Sequence, residues 1–357
     1  MKKIINKILR LLNRQKKSNN LIINSYVYDE LNAILMDQKI CAIDVGGAVN
    51  LQPHFNKLIG NAEFYIFEPD NRSYDDLIST VNRYSHPSDF HYINKALSGN
   101  DGIRTLHLTN VPTGSSILEV KEDAPFHSKD SNYFYPMKKV EIETFTLSTI
   151  LNNKSIHIID SIKLDVQGAE LEIIRGIDDD RLYSLNSIEM EIGMHENYVN
   201  QTTFCDTLNF MKEKGFGLFD IRVSRSCIPN YVDNMSYHKK YFNTHENSPS
   251  VSARIWEVDA IFFREPSWIK VNQISKERIL RIIAMYCVYN FFAEAIQILN
   301  TSYEDKKLTE LEWNNVKKSI INWNKKEQQK TQEIDLLLSK NNYLTWAQYM
   351  WVNYPSN

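Results

Sequence analysis

Between residues 40 and 265, short apolar runs alternate with stretches whose apolar positions recur every three or four residues. This pattern is typical of strands followed by amphipathic helices, and it predicts a doubly wound α/β sheet. Strands are predicted at 40–43, 64–67, 90–93, 158–166, 187–192, 216–223 and 256–264. Helices are predicted at 21–37, after Pro69, across Leu171 and Ile174 to a stop at Gly176, and from Phe204 to a stop at Gly215.

Two long polar stretches interrupt this alternation. In the first, 97–157, the alternating positions of 103–108 and 140–145 predict two strands, with a proline-containing loop between them that we expect over the site. The second stretch, 224–255, is rich in Ser, Asn and Tyr. It is long for a plain connection, and we interpret it as a substrate loop.

After residue 274 the pattern is helical to the end of the chain. Apolar positions over 279–299 predict one largely buried helix, and those from Leu311 to Trp323 predict another. The predicted organisation is a basic amphipathic segment at 1–20, an α/β domain at 21–268 and a helical C-terminal region at 269–357. This last region could be a cap, a dimer surface or a docking module, and the sequence does not choose among them.

Acidic side chains follow three of the predicted strands. Asp44 precedes Gly46 and Gly47, where a backbone without side chains allows a ligand to approach closely. Glu68 lies about twenty residues past this turn, the usual spacing for a carboxylate that binds ribose hydroxyls. Asp165 ends another strand. Ligands of open α/β sheets bind at such strand ends, so these residues predict a pocket for an adenosine-containing cofactor.

The motifs at these strand ends resemble those of FkbM-type methyltransferases. They are Asp44-Val45-Gly46-Gly47, Phe67-Glu68-Pro69, Gly114-Ser115-Ser116, the stretch from Val140 to Leu151, Lys163-Leu164-Asp165-Val166-Gln167-Gly168-Ala169-Glu170 and Ile188-Glu189-Met190-Glu191. The similarity spans roughly 38–265. Ala48, Asn50 and Gln167 differ from the usual family pattern. The resemblance implies a Rossmann-like methyltransferase sheet that uses S-adenosylmethionine, and the helical region is then its C-terminal extension.

For the cofactor, we expect contacts from six residues on the strand ends and the serine loop. Asp44 would order the turn and the methionine end, Glu68 would bind the ribose hydroxyls, and Asn94 would meet the adenine edge. The other three are Gly46, Gly47 and Ser116. Each polar residue also has a plainer reading, as a carboxylate at a helix N-terminus or as a turn former.

For catalysis, we expect four residues near the transferring methyl group. Asp165 could be a base, a substrate anchor or a metal ligand. Lys163 could lower the pKa of a bound hydroxyl or only neutralise Asp165. The resemblance places a carboxylate at Glu191, and His195, just past a strand end, could act as a general base. The plainer readings are a salt bridge for the first pair and a surface position for the histidine.

Composition narrows the partners and the compartment. The formal net charge of -3 gives no global bias toward nucleic acid. Four cysteines lack Cys-x-x-Cys spacing, which favours a reducing, cytoplasmic location without a zinc site, and we expect Cys41 and Cys205 to be buried. The histidines show no metal-ligand spacing, although Mg²⁺ held by Asp165 and Glu191 is left open. No run of apolar residues is long enough for a membrane span.

Residues 1–17 are basic and carry apolar positions that can share one helical face. Such a helix can lie on an anionic membrane surface, so we expect either peripheral contact with the inner face of the membrane or a frayed terminus.

The sequence thus predicts a cytoplasmic S-adenosylmethionine-dependent O-methyltransferase that acts on a hydroxyl of a sugar or glycan precursor. One alternative is a non-catalytic relative that serves as a glycan-binding or assembly module. A nicotinamide-dependent oxidoreductase is disfavoured, because the first turn lacks three glycines at dinucleotide spacing. Nothing in the sequence indicates the oligomeric state.

Overall fold

The computed structural model describes residues 29–47, 51, 54–82, 84, 86–121, 135–226 and 254–341. Within these ranges one large sheet contains β1 (Ile40–Val45), β2 (Ala62–Phe67), β3 (Phe90–Ile93), β7 (Ser161–Leu164), β8 (Ser187–Gly193), β9 (Phe216–Ser226) and β10 (Arg254–Arg264). Their order is β3-β2-β1-β7-β8-β10-β9. The first five strands in this order pair in parallel, and β10 is antiparallel to both of its neighbours. The predicted doubly wound sheet is confirmed.

A small second sheet comes from the stretch that interrupts the alternation. In the described residues it contains β4 (Ala96–Leu97), β5 (Gly102–Thr109) and β6 (Pro136–Phe145), with β6 in the centre. A 3₁₀ turn at Pro112–Gly114 follows β5. Strands were predicted here over 103–108 and 140–145, but β6 starts earlier, at Pro136. Pro136 is exposed and occupies the first position of the strand, where a missing N–H is tolerated.

Helices cover both faces of the large sheet. They are α1 (Asp29–Leu35), α2 (Asn71–Val81), α3 (Leu147–Asn153), α4 (Glu170–Arg175), α5 (Asp179–Ser184), α6 (Phe204–Glu213), α7 (Pro266–Val271), α8 (Lys276–Val288), α9 (Phe292–Glu304) and α10 (Glu310–Asn341). Apolar residues of α3, α4, α5 and α6 pack on one face. On the other face, α1, α8, α9 and α10 share a core with β1, β2 and β10. The C-terminal helices therefore complete a layer of the α/β fold.

Three sequence expectations about these elements are wrong. The apolar pattern over 279–299 is two helices, because Asn290 takes a left-handed conformation (φ 69°) and turns the chain between α8 and α9. Leu311 begins α10 but is 71% exposed. Cys205 is exposed on α6, whereas its apolar neighbours suggested burial.

β7 is also shorter than the predicted strand over 158–166. It begins only at Ser161, and Ile158 is 46% exposed. Just before the strand, the buried Asp160 carboxylate accepts a hydrogen bond from the Cys41 N–H (3.0 Å). At this point the Cys41 N–H is paired with a side chain and not with the backbone, which the apolar run alone does not reveal.

Several predictions lie outside the described residues. These are the basic segment 1–20, the altered turn positions Ala48 and Asn50, and most of the predicted substrate loop, since 227–253 is not described. No helix in the described part of the chain combines the length and apolar character needed to cross a membrane.

Candidate active site

Charged side chains from three neighbouring strands form a row across the large sheet. Asp44 on β1 pairs with Lys163 on β7, which pairs with Glu189 on β8. Paired residues on adjacent strands project from the same face, so these groups meet. The Lys163 Nζ lies 3.7 Å from Asp44 Oδ1 and 3.2 Å from Asp165 Oδ2. Lys163 is therefore the cation between two carboxylates.

Burial and mutual charge set the protonation of this row. Burial raises the pKa of Asp44 to about 6, although Lys163 opposes the shift. Burial would lower the pKa of Lys163, but Asp165, Asp44 and Glu191 hold it well above its usual value. Lys163 is therefore a permanent cation at neutral pH. It stabilises negative charge and does not act as a base.

The turn after β7 joins Asp165 to Glu191 at the end of β8. The Nε2 of Gln167 donates to Asp165 Oδ1 (3.0 Å) and to Glu191 Oε2 (2.8 Å). The turn itself is held by Glu170, whose Oε1 accepts from the Val166 and Gly168 N–H groups at 3.0 Å each. The two candidate catalytic carboxyls therefore belong to one hydrogen-bonded group.

The glycine turn after β1 serves the packing of the strand ends. Gly46 has φ 82°, and a Cβ there would lie 1.8 Å from the Asp165 carbonyl oxygen. At Gly47 a Cβ would lie 2.5 Å from Ile66 Cγ2. Both N–H groups donate to the Phe67 carbonyl. The missing side chains make room for the neighbouring strand ends, and the cofactor contact expected at these glycines stays a prediction.

Glu68, at the end of β2, is buried beside this turn. Its Oε1 accepts from the Asp70 N–H (2.7 Å), and burial raises its pKa to about 7. Asn94 donates to the Glu68 carbonyl (3.1 Å) and to the Asn71 side chain (3.0 Å). Asn94 thus fixes the ends of β2 and β3 relative to each other, as a turn residue would.

A narrow cleft opens between these strand ends and the small sheet. One side is lined by Gly46, Glu68 and Asp165, and the other by 112–113 and 115–117. The cleft encloses about 90 Å³, whereas pockets that bury a drug-sized ligand usually hold about 300–1,000 Å³. The Ser116 hydroxyl faces the protein, because it donates to the Gln167 carbonyl (2.8 Å).

Arg72 fastens the wall of this cleft to the large sheet. Its side chain forms an ion pair with Asp70 (2.5 Å), and its Nη1 donates to the Thr109 carbonyl (2.7 Å). Its Nη2 also donates to Ser115 Oγ (3.2 Å). Asp70 caps α2 by accepting from the Arg72 N–H (2.9 Å). Sequence reasoning missed both residues, although an aspartate just before a helix is a recognisable N-cap signal.

Glu189, the last member of the row, is the centre of a second buried ionic group. Glu189 is 2% exposed, and its carboxylate is contacted by His54 Nε2 (3.0 Å), the Tyr289 hydroxyl (2.9 Å) and Arg222 Nη1 (3.2 Å). Burial opposes ionisation, but these partners, His54 first, bring the pKa of Glu189 down to about 2. The three partners come from three separate parts of the chain, so no local motif could have indicated them.

Residues 44–218 match the family described as the methyltransferase FkbM domain. Residues 44–218, just under half of the chain, are thus similar to an FkbM methyltransferase domain. No curated protein matches the chain.

Among solved structures, the FkbM methyltransferase from Methylobacillus flagellatus KT is 13% identical, with a TM-score of 0.36. The alignment covers 63% of this chain and 43% of that protein, so the chain spans less than half of its length. Precorrin-6y C5,15-methyltransferase from Geobacter metallireducens GS-15 is 8% identical, with a TM-score of 0.33 and coverage of 66% and 86%. Magnesium protoporphyrin IX methyltransferase from Synechocystis PCC 6803, with bound SAM, is 7% identical, with a TM-score of 0.32 and coverage of 66% and 76%.

The side chains of the FkbM domain fit the charge of S-adenosylmethionine. Asp44 Oδ1 is buried and accepts no hydrogen bond from the described residues. Glu68 and Asp165 line the cleft itself. These carboxyls match a cationic sulfonium and a ribose with two hydroxyls. The cleft between the described residues, about 90 Å³, is smaller than a nucleoside requires, and residues 112–117 form one of its walls.

The remaining candidate, His195, is partly buried in the bend that follows β8. In the described part of the chain, no group of three or more His, Cys, Asp or Glu side chains is arranged to hold a metal ion. Mg²⁺ at Asp165 and Glu191 is therefore not supported. The structure instead joins these two carboxyls through Gln167.

Proposed function

We propose that the chain transfers a methyl group from S-adenosylmethionine to a hydroxyl of a sugar or glycan precursor. S-adenosylmethionine supplies an electrophilic methyl group, and transfer to a hydroxyl releases one proton. The observation that carries the proposal is the meeting of Asp165, Glu191 and Lys163 beside the cleft of an FkbM domain.

In this proposal each group of the site has a separate task. Asp165 accepts the proton of the hydroxyl, since it is a carboxylate at the cleft wall and its side chain is 31% exposed. Lys163 keeps Asp165 ionised and stabilises negative charge near the acceptor oxygen. Glu68 holds the ribose, and Asp44 offsets the cofactor's positive charge.

The sugar acceptor rests on the FkbM resemblance, because the predicted substrate loop is not described. We also propose a cytoplasmic location, with residues 1–17 in contact with the inner membrane face. Removal of residues 1–17 should abolish sedimentation with anionic vesicles. Equal sedimentation of the shortened and full chains would contradict this contact.

The first test is calorimetry of the full chain with S-adenosylhomocysteine. Glu68→Ala should weaken binding by about 1–3 kcal/mol, since a charged group that receives hydrogen bonds is lost. Glu213→Ala, at an exposed glutamate of α6, is the control and should bind like the unaltered chain. Failure of the unaltered chain to bind at millimolar concentration would favour the non-catalytic glycan-binding or assembly module.

The second test follows methyl transfer from labelled S-adenosylmethionine to a panel of monosaccharides and nucleotide sugars. Asp165→Asn should abolish incorporation and leave S-adenosylhomocysteine binding intact, because it removes the base and keeps the shape. Label that appears only on nitrogen or carbon acceptors would contradict O-methylation.

A further inference from the structure

Gln167 stands out because backbone and side chain are both constrained at one residue. Its φ is 59°, in the left-handed region that residues other than glycine and asparagine rarely adopt. Its carbonyl accepts from Ser116 Oγ (2.8 Å). Such strained residues persist only where the surroundings hold them, and they concentrate at functional sites. The strain therefore indicates that the Gln167 side chain has a role in the site.

The Gln167 side-chain amide forms hydrogen bonds to three side chains of the site. Its Nε2 donates to Asp165 Oδ1 (3.0 Å) and Glu191 Oε2 (2.8 Å), and its Oε1 accepts from the buried Tyr198 hydroxyl (3.0 Å). An ionised Asp165 carboxylate can only accept, so the Asp165 contact fixes which end of the amide carries the donors. One N–H of the Gln167 amide therefore points at the Asp165 carboxyl, and the other points at the Glu191 carboxyl.

The two carboxyls also contact each other. A hydrogen bond joins Asp165 and Glu191, which requires a proton on one of them. Burial and the charges of Asp165, Glu257 and Asp259 raise the pKa of Glu191 well above its usual value. Burial acts against ionisation of Asp165, but Lys163, Glu191 and Gln167 hold its pKa below the usual value. Glu191 is therefore the member of the pair that binds a proton more readily, and Asp165 is the member that ionises more readily.

We propose that Gln167 is the positioning residue of a proton-sharing carboxyl pair, Asp165 and Glu191, that acts as one acid–base unit. This inference rests on the proposed function, in which Asp165 accepts the hydroxyl proton. Gln167 holds the two carboxyls within hydrogen-bond reach while leaving Asp165 on the cleft wall. It also donates to the anionic forms of the pair, so its loss should make the pair bind its protons more tightly.

The pair does not titrate in isolation. Charged and titratable groups face it from each of the described elements packed around it. They are Asp44 of β1, Lys163 of β7, Glu170 of α4, Tyr198 after β8, and Glu257 and Asp259 of β10. A change at Gln167 leaves all of these groups in the chain, and Tyr198 is the one among them that contacts the Gln167 side chain. A shift in titration can therefore be attributed to the lost amide contacts.

The test is an infrared pH titration of the full chain without cofactor, following the absorption of protonated carboxyls. The band that disappears in Glu191→Gln is assigned to the pair, and we expect it to persist above neutral pH. Gln167→Asn keeps an amide that tolerates a left-handed backbone but is too short to reach both carboxyls. We expect it to move the titration upward by about one pH unit, equivalent to one charged hydrogen bond. Gln167→Glu, nearly isosteric, should also move it upward.

Gln273 provides the matched control, because it is an exposed glutamine that also has a left-handed backbone (φ 45°). Gln273→Asn and Gln273→Glu should titrate like the unaltered chain. A wild-type chain with no such band above neutral pH, or Gln167 variants that titrate at the wild-type pH, would overturn the inference. Calorimetry with S-adenosylhomocysteine tests the proposed function separately, since the infrared result does not depend on cofactor binding.

Discussion

At the scale of single residues, the site depends on close contacts that tolerate no added atoms. Gly46→Ala places a methyl group 1.8 Å from the Asp165 carbonyl oxygen, in a left-handed backbone. We expect a loss of at least about 3 kcal/mol in the free energy of unfolding. Gly102→Ala is the control, because nothing lies within 4 Å of its added Cβ. Urea denaturation of both variants checks the difference, and equal midpoints would refute this account of the turn.

Glu68 gives a pH dependence with a defined sign. Its pKa rises from 4.5 to about 7 on folding. The folded chain therefore holds a proton that the unfolded chain has lost, and stability falls as pH rises through this window. Glu68→Gln has no such loss. Its free energy of unfolding should exceed that of the wild type by up to about 3 kcal/mol at pH ~8 and match it below pH ~4.5. Glu213→Gln, at an exposed position, should show no such window in urea titrations across pH.

At the scale of elements, we expect the wall around 112–117 to open when a nucleoside enters the cleft, because the cleft encloses only about 90 Å³. Arg72→Ala removes the contacts to Thr109 and Ser115 but leaves the Asp70 cap of α2 in place. We expect S-adenosylhomocysteine to associate about tenfold faster, because opening no longer breaks these bonds. Arg175→Ala, at an exposed arginine of α4, should leave the rate unchanged. Stopped-flow fluorescence measures both, and a slower or unchanged rate in Arg72→Ala would argue against this fastening role.

The strands that carry the site were predictable from sequence, while their connections were not. The apolar runs at 64–67, 90–93 and 187–192 are short and bounded by polar residues, so their positions follow from periodicity. Lys163 and Asp165 were also placed together, because alternate strand residues share a face. The Gln167 bridge was missed, since it depends on a left-handed turn that no apolar pattern encodes. The break at Asn290 was missed for the same reason.

At the scale of the whole molecule, the C-terminal helices and the large sheet share one core. Trp323 of α10 is fully buried and packs near Phe292 of α9 (ring centroids 6.3 Å apart). Trp323→Ala should cost about 3–5 kcal/mol through the cavity it leaves. Ile321→Ala, two residues earlier and 41% exposed, should cost about 1 kcal/mol or less. Thermal denaturation compares them, and a similar melting temperature would mean that this helix adds little to the fold.

The shared core also links the tail to the site. The Tyr289 hydroxyl, just past the end of α8, donates to Glu189, which pairs on β8 with Lys163. His54 and Arg222 complete the partners of this carboxylate. A change in the packing of the C-terminal helices can therefore affect the charges around Lys163 through Tyr289 and Glu189.

The end of the family match does not coincide with the end of a structural unit, and this limits where the gene can be cut. The FkbM match ends at residue 218, which lies inside β9. A fragment ending there lacks β10, so β8 becomes a bare edge strand, and the apolar face under α8 is left open to water. Such fragments should aggregate, and chimaeras spliced at that boundary should inherit the same defect. Crossover points for recombination should therefore avoid the stretch from β8 to the C-terminal helices.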